Sequence, residues 1–248
     1  MERERHPSDR GQRNDHATDG PTDTTSSADV RMVLAGKAPE EVAALRRGEA
    51  TPSFTFFTVQ LGCDRSWERL GHHLLVMTSD ASTAFDEVFR KGAYPTDPPI
   101  YVNTTSATCP DDAPPGGSNP FLVIGAPPFQ PGSPRDDTFA RDYAGRLIDR
   151  LDRVAAPGLA SSIVSRHLTT PHDWELRFHA FRGSIYGLGV EHNVLAGAFR
   201  PLNKCKHVHR LYFAGGGVQP GAGLPMVVQS GKITAQRIAR DHPRKNAG

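Results

Sequence analysis

Cysteine is scarce. Cys63, Cys109 and Cys205 are odd in number, widely spaced and in no C-x-x-C pair, so neither a disulfide framework nor a zinc site is indicated, and a reducing cytoplasm is the expected compartment. Long apolar runs are missing as well: nothing approaches the ~20 residues needed to cross a bilayer. Residues 1–13 are too polar for a secretory signal, so a membrane is expected to be met only at its surface. Charge of one sign is lacking, because 29 Lys and Arg stand against 27 Asp and Glu for a net +2. That balance leaves no electrostatic footprint of a nucleic-acid binder. The chain also contains no G-x-G-x-x-G turn after a strand, the segment that cradles a dinucleotide pyrophosphate. What is present, 37% hydrophobic residues over 248 positions, suffices for a packed core.

Residues 1–28 are Asp, Arg, Ser, Thr, Gly and Pro with almost nothing apolar, and such a segment reads as a disordered leader. A helix is expected within residues 30–47, with Pro39 in its first turn. Aromatic and β-branched runs predict strands at residues 54–61 (FTFFTVQL), 74–78, 100–104 and 121–125. Helical spacing links Phe85, Val88 and Phe89. It returns at Phe139, Tyr143, Leu147, Ile148 and Leu151, after the capping candidates Asp136 and Asp137. Residues 108–118, dense in Pro and Gly, form a surface connection. Thr170, Pro171 and Asp173 stand as cap, first-turn proline and acidic third residue of another helix, on which Trp174 and Phe178 are four apart.

The last segment carries the most information. Residues 210–214 (RLYFA) predict a short strand running into Gly215, Gly216 and Gly217. Val218, Gln219, Pro220, Gly221, Ala222, Gly223, Leu224, Pro225 and Met226 follow, then a helix to about Arg240. Val228, Gly231, Ala235, Ile238 and Ala239 fall on one face of that helix, small enough for close packing on a sheet. Five glycines in the nine residues 215–223 let a flat or phosphorylated ligand approach the backbone. The helix N-terminus after them presents free N–H groups and a partial positive charge. Equally, such a turn serves in many α/β proteins only to reverse the chain.

The stretch LYFAGGGVQPGAGLPMVVQSGKITA, residues 211–235, resembles the C-terminal signature of phytoene desaturases and related bacterial carotenoid desaturases, with Pro220, Gly221, Gly223 and Pro225 where the family pattern asks for them. Further blocks agree in order: residues 54–62 with His72 and His73, residues 100–116, the helix from Thr170 with the segment 182–187 (RGSIYG), and Phe199-Arg200-Pro201.

The resemblance implies a flavoprotein with an α/β dinucleotide-binding domain and a substrate domain over an apolar tunnel for a polyene. This chain would then be its C-terminal half: a mixed-sheet substrate domain with helices (α+β), plus the C-terminal strand-turn-helix of a Rossmann-like FAD-binding domain whose N-terminal part is missing. The implied division is a leader at 1–29, a partial substrate-binding domain at 30–200, the C-terminal piece of the FAD-binding domain at 201–241 and a tail at 242–248. The implied cofactor is FAD, met by Gly215, Gly216, Gly217, Val218, Gly223, Leu224, Pro225 and Met226. Tyr186, Phe199, Arg200 and Gln219 fall to the substrate side, and Gln219 stands where the family commonly has His, losing a titratable group. No catalytic residue is assigned, and desaturation, isomerisation and terminal oxidation stay open. The partners implied are an apolar polyene or carotenoid, a membrane surface and a second chain carrying the N-terminal FAD-binding half. An inactive or split fragment is the alternative reading.

Other candidates reduce to plainer roles. His72 and His73 are adjacent, so on a strand they would face opposite ways rather than share a metal. His207 and His209 with Cys205 lack a fourth ligand and lie among Lys204, Lys206 and Arg210, which reads as a solvated basic loop. Gly183-Ser184-Ile185-Tyr186-Gly187 does not match G-x-S-x-G, so serine hydrolase chemistry is not supported. Arg237, Arg240, Arg244 and Lys245 are either a solvated terminus or a contact for anionic lipid.

Overall fold

A computed structural model describes residues 52–130, 135–186, 200, 202–205 and 208–243. The expected leader, the helix within 30–47, and Phe199, Lys206, His207, Arg244 and Lys245 lie outside the described residues.

Period-2 alternation builds the sheet. In β1 (Thr55–Cys63), Phe57 and Val59 are fully buried and Leu61 nearly so, while Phe56 and Gln60 turn to the other face. β1 pairs with β4 (Phe121–Ala126) on one side and β5 (Ile163–Thr169) on the other. β3 (Ile100–Asn103) joins β4 to β2 (His73–Val76). The order is β2-β3-β4-β1-β5. All four pairings are antiparallel, which corrects the expected mixed sheet. The polar Ser165, Arg166 and His167 hid β5 from the hydrophobic pattern, since an edge strand tolerates exposed polar positions.

One face of the sheet is covered by α2 (Asp137–Val154). Its cap is as expected, with Asp136 accepting a 2.8 Å hydrogen bond from the Phe139 amide. Ala140, Tyr143, Ala144, Leu147, Ile148 and Leu151 form its buried stripe against Phe57, Val59, Ile100, Val102, Leu122 and Ile124. Each fully buried large side chain there contributes about 1.5–3 kcal/mol. The Tyr143 ring meets Phe57 edge-on at 5.2 Å and its hydroxyl donates to the Pro95 carbonyl; burial raises that phenol's pKa.

α1 (Ala81–Phe89) is capped by Asp80, and the one-turn α3 (Leu159–Ser162) leads into β5. α4 (Pro171–Phe178) opens with the expected capping box between Thr170 and Asp173. α5 (Leu224–Asp241) closes the described chain. Residues 210–214 do not form the expected strand: the segment makes one antiparallel bridge, Lys204 to Tyr212. It is held by Cys205 N donating to Leu211 O and Phe213 N donating to Asn203 O, both at 2.9 Å.

Candidate functional site

The helix face expected to pack closely is not the one buried. Val228 is 68% exposed and Ile238 40%, and Ala235 and Ala239 are exposed too, with only Gly231 half-buried. The buried positions of α5 are Ser230 and Thr234, one turn apart. Their hydroxyls explain the choice. Thr234 donates to Phe213 O, and the Ser230 oxygen accepts from Gly215 N at 3.1 Å and from Asn203 Nδ2 at 2.9 Å. Asn203, also buried, reaches the Gln219 carbonyl at 2.9 Å. This network fixes both ends of the glycine turn to the helix and satisfies polar groups that burial would otherwise penalise. Apolar spacing missed it because the residues doing the packing are polar.

The turn presents open backbone. A Cβ added at Gly215, Gly217 or Gly223 would meet no atom within 4 Å. The first amides of α5 lack helical partners by construction, and Leu224 (79% exposed), Pro225 and Met226 lie at the surface there. Val218 differs from the expectation of a ligand-facing residue: its side chain is buried with Cys205, Phe213 and Leu211, which leaves only its main chain for contact. The turn and the helix N-terminus thus leave one open edge of glycine backbone.

Arg200 ties this edge to the sheet. Its Nη1 donates to Gly216 O at 2.6 Å and to Tyr186 O at 3.0 Å, and its guanidinium lies against Gly221, where a Cβ would come within 3.2 Å of Nε. The Tyr186 ring packs at 5.4 Å from Phe54 and 6.1 Å from Phe56, and Phe54 touches Phe89 at 5.5 Å. Of the expected substrate-side residues, Tyr186, Arg200 and the Gln219 main chain are therefore brought to the turn; Phe199 lies outside the described residues. Phe54 and Phe56 were not singled out from sequence, although the alternation in FTFF places both on the face opposite Phe57.

That second face of the sheet has rows set by register. One runs Leu75, Tyr101, Val123, Thr58, Thr169 and the next His73, Asn103, Phe121, Gln60, His167. Leu75 is 54% exposed and Tyr101 37%. His72 and His73 do not diverge as expected: His72 precedes β2 after Gly71 at φ +51°, and the two rings lie 4.3 Å apart. His72 Nδ1 contacts Thr108 Oγ1 at 2.5 Å and His73 Nδ1 contacts Tyr101 OH at 2.8 Å. Among the described residues no group of three His, Cys, Asp or Glu could hold a metal.

The expected basic loop is partly paired. Lys204 Nζ meets Asp241 at 2.7 Å and Tyr212 OH donates to the same carboxylate at 2.8 Å. The hydrogen bond from Lys204 is the largest cause of Asp241's lowered pKa. His209 is exposed. Among the described residues no helix is long and apolar enough to cross a membrane.

A 4,4'-diaponeurosporene oxygenase of Staphylococcus haemolyticus (strain JCSC1435) is 30% identical over 187 residues, covering 75% of this chain and 37% of the relative. The enzyme of the same name from Staphylococcus aureus (strain USA300) is 30% identical over 190 residues, 77% of this chain and 38% of its own length. The chain thus spans less than two fifths of the relatives it matches, and the expected kinship with carotenoid desaturase-type enzymes is borne out. A solved oxidoreductase from Methanosarcina mazei aligns with a TM-score of 0.44 at 15% identity, over 81% of this chain and 38% of that one; so loose a likeness places no residue. Residues 33–239 match the family described as flavin containing amine oxidoreductase, and the chain belongs to that family.

Proposed function

We propose that this chain supplies the substrate-facing sheet and one cofactor edge of an FAD-dependent oxidoreductase of the carotenoid desaturase class, acting on an elongated apolar polyene. The observation that carries this reading is the bridge made by Arg200, which holds Gly216 in the glycine turn and Tyr186 in the aromatic cluster by one guanidinium. A flat cofactor on the turn would lie beside Phe54, Phe56 and Tyr186, an apolar surface suited to a hydrocarbon. Bound flavin supplies the two-electron acceptor for removing hydrogen from the substrate. The chain's own contribution is positioning: Gly215, Gly217 and Gly223 allow close approach, and the 18-residue α5 directs a partial positive charge of about half an electron at the ligand. The same field favours negative charge on a reduced ring or a phosphate.

A second reading has its own support. The exposed stripe Val228, Ala235, Ile238 and Ala239 on α5 has the small apolar character that packs against a sheet, and a chain carrying the dinucleotide-binding half would cover it. In this reading the present chain is inactive by itself. Purified chain passed through gel filtration separates the two readings by its visible spectrum. About one equivalent of flavin supports the stand-alone enzyme. A colourless chain that gains flavin when co-expressed with the N-terminal half of a carotenoid desaturase supports the split form. No flavin in either preparation overturns both. Peripheral membrane contact belongs to the same proposal, because a polyene dissolves in bilayers and Arg237 and Arg240 offer positive charge to anionic lipid; flotation with phosphatidylserine vesicles tests it, and failure to float refutes it.

A further inference from the structure

Two glycines lie inside the described strands, Gly62 in β1 and Gly125 in β4. Glycine weakens a strand interior, so each position calls for a reason: a positive φ, a bulge, or the close approach of another group. Gly62 finds its reason within the chain, since a Cβ there would stand 2.5 Å from Ser165 Oγ and the pairing with β5 shifts register just beyond it. Gly125 does not. Its φ is not positive, its strand pairs with β1 without a break from Thr55 to Gln60, and a Cβ would meet no atom within 4 Å. The flanking Ile124 and Ala126 are fully buried in the core, so alternation puts Gly125 on the opposite, open face.

Gly125 is paired directly with Phe56. It therefore continues the surface of Phe54, Phe56 and Tyr186 across the sheet toward Val123, Tyr101 and Leu75. None of these is an acidic or basic residue. An ionic ligand would lose its hydration here and find no counter-charge, whereas an uncharged apolar one loses nothing. Thr58, which pairs with Val123, is buried with its hydroxyl unpartnered. The missing side chain at Gly125 leaves a dip beside Phe56 on a surface otherwise lined by large groups.

Resting on the polyene reading above, we propose that Gly125 is a specificity-determining position. The gap left by its missing side chain lets a thin, uncharged conjugated chain lie flat on the sheet beside Phe56, and a larger side chain there closes the lane. Selection at this point is by clearance and not by hydrogen bonding.

The test uses the full chain and diphenylhexatriene, a rod-shaped conjugated hydrocarbon. Trp67→Phe leaves Trp174 as the sole tryptophan. Trp174 Nε1 donates to the Phe56 carbonyl at 2.7 Å, so energy transfer from it to the probe reads occupancy beside Gly125. In this background Gly125→Leu is expected to weaken binding about tenfold or more, as overpacking does, and Gly125→Ala by less. The unfolding midpoint should hold or rise, because the added Cβ meets no atom of the chain and strand propensity improves. Gly145→Leu on α2, where a Cβ likewise meets nothing within 4 Å, should leave binding unchanged. So should Thr58→Val, which deletes the unpartnered hydroxyl. Wild-type affinity in Gly125→Leu, or a loss of affinity accompanied by a lowered unfolding midpoint, overturns the clearance role alone. A tenfold loss in Thr58→Val overturns it as well, since a hydrogen bond would then select the ligand. A wild-type chain that does not bind the probe overturns the polyene reading beneath the proposal, and the proposal with it.

Discussion

Replacing Arg200 with Met keeps the unbranched stem of the side chain and removes its donors, and the structure sets the size of the effect. Two carbonyls lose a charged donor, Gly216 O at 2.6 Å and Tyr186 O at 3.0 Å. A hydrogen bond to a charged group is worth about 1.5–3 kcal/mol, and both bonds here leave from one nitrogen at a half-exposed position where water recovers part of the loss. The net cost is therefore about 2–3 kcal/mol, and it falls on the turn rather than on the sheet. At 1.4 kcal/mol per tenfold, local opening of the turn becomes about 30- to 150-fold more frequent. Amide hydrogen exchange reads this directly at Gly215, whose N–H is bonded to Ser230 Oγ, with Val59 in the interior strand β1 as the unaffected control. Arg200→Lys, with a compact ammonium that reaches one carbonyl but not both, should fall between wild type and Met. Unchanged Gly215 exchange in Arg200→Met would falsify the claim that Arg200 couples the turn to the aromatic cluster.

Other substitutions probe the supports around the site. Asn203→Leu removes one buried donor from the Gln219 carbonyl and one from the Ser230 hydroxyl, which keeps its bond from Gly215 N, and should cost about 1–3 kcal/mol in a urea titration; a midpoint equal to wild type would show that the network carries no stability. Gly183 has φ +74° and a Cβ there would stand 2.8 Å from Pro171 Cα, whereas Gly116 has φ +79° with nothing within 4 Å. Gly183→Ala should therefore lose about 2–4 kcal/mol from strain plus overlap, and Gly116→Ala only about 1 kcal/mol from strain. Equal losses would mean that packing at Pro171 is not tight. Burial opposes the charge on Asp173, but hydrogen bonds from Thr170 and the Arg135 guanidinium outweigh it and hold the carboxyl's pKa below the usual range. Because the folded pKa is lowered, the stabilisation is complete above the unfolded value of about 4 and fades as pH falls through the folded one. Asp173→Asn should accordingly lower stability at neutral pH and flatten its decline below about pH 4, and an acid-unfolding curve parallel to wild type would refute that assignment.

Local chemistry was legible in the sequence where one residue type answers one need. Asp136 and Thr170 cap the helices they were expected to cap, because a short oxygen acceptor before an apolar stripe has few other uses. The aromatic and β-branched run from Phe54 onward located β1, since such side chains suit a pleated, half-buried surface. What stayed hidden was set by partners distant in sequence. Arg200 reaches carbonyls 14 and 16 residues away, and a main-chain oxygen leaves no mark on composition. An arginine that grips backbone reads, in one dimension, like any surface arginine.

The disagreement over α5 is of another kind, because pattern and packing each make physical sense. Ser230 and Thr234 are buried since they satisfy Asn203, Gly215 and Phe213, and no apolar side chain could do so. Val228, Ala235, Ile238 and Ala239 nevertheless keep the spacing of a face selected for contact, and a solvated helix has no need of that spacing. Two faces of one helix, one polar and buried, the other apolar and exposed, are the arrangement expected of a helix clamped between its own turn and a second surface. If the second surface is the dinucleotide-binding half, Ala235→Glu should block recovery of flavin on co-expression while leaving the chain's own unfolding midpoint within about 0.5 kcal/mol of wild type, as for an ordinary surface substitution. Full flavin recovery in Ala235→Glu would show that the apolar stripe faces water in the working protein.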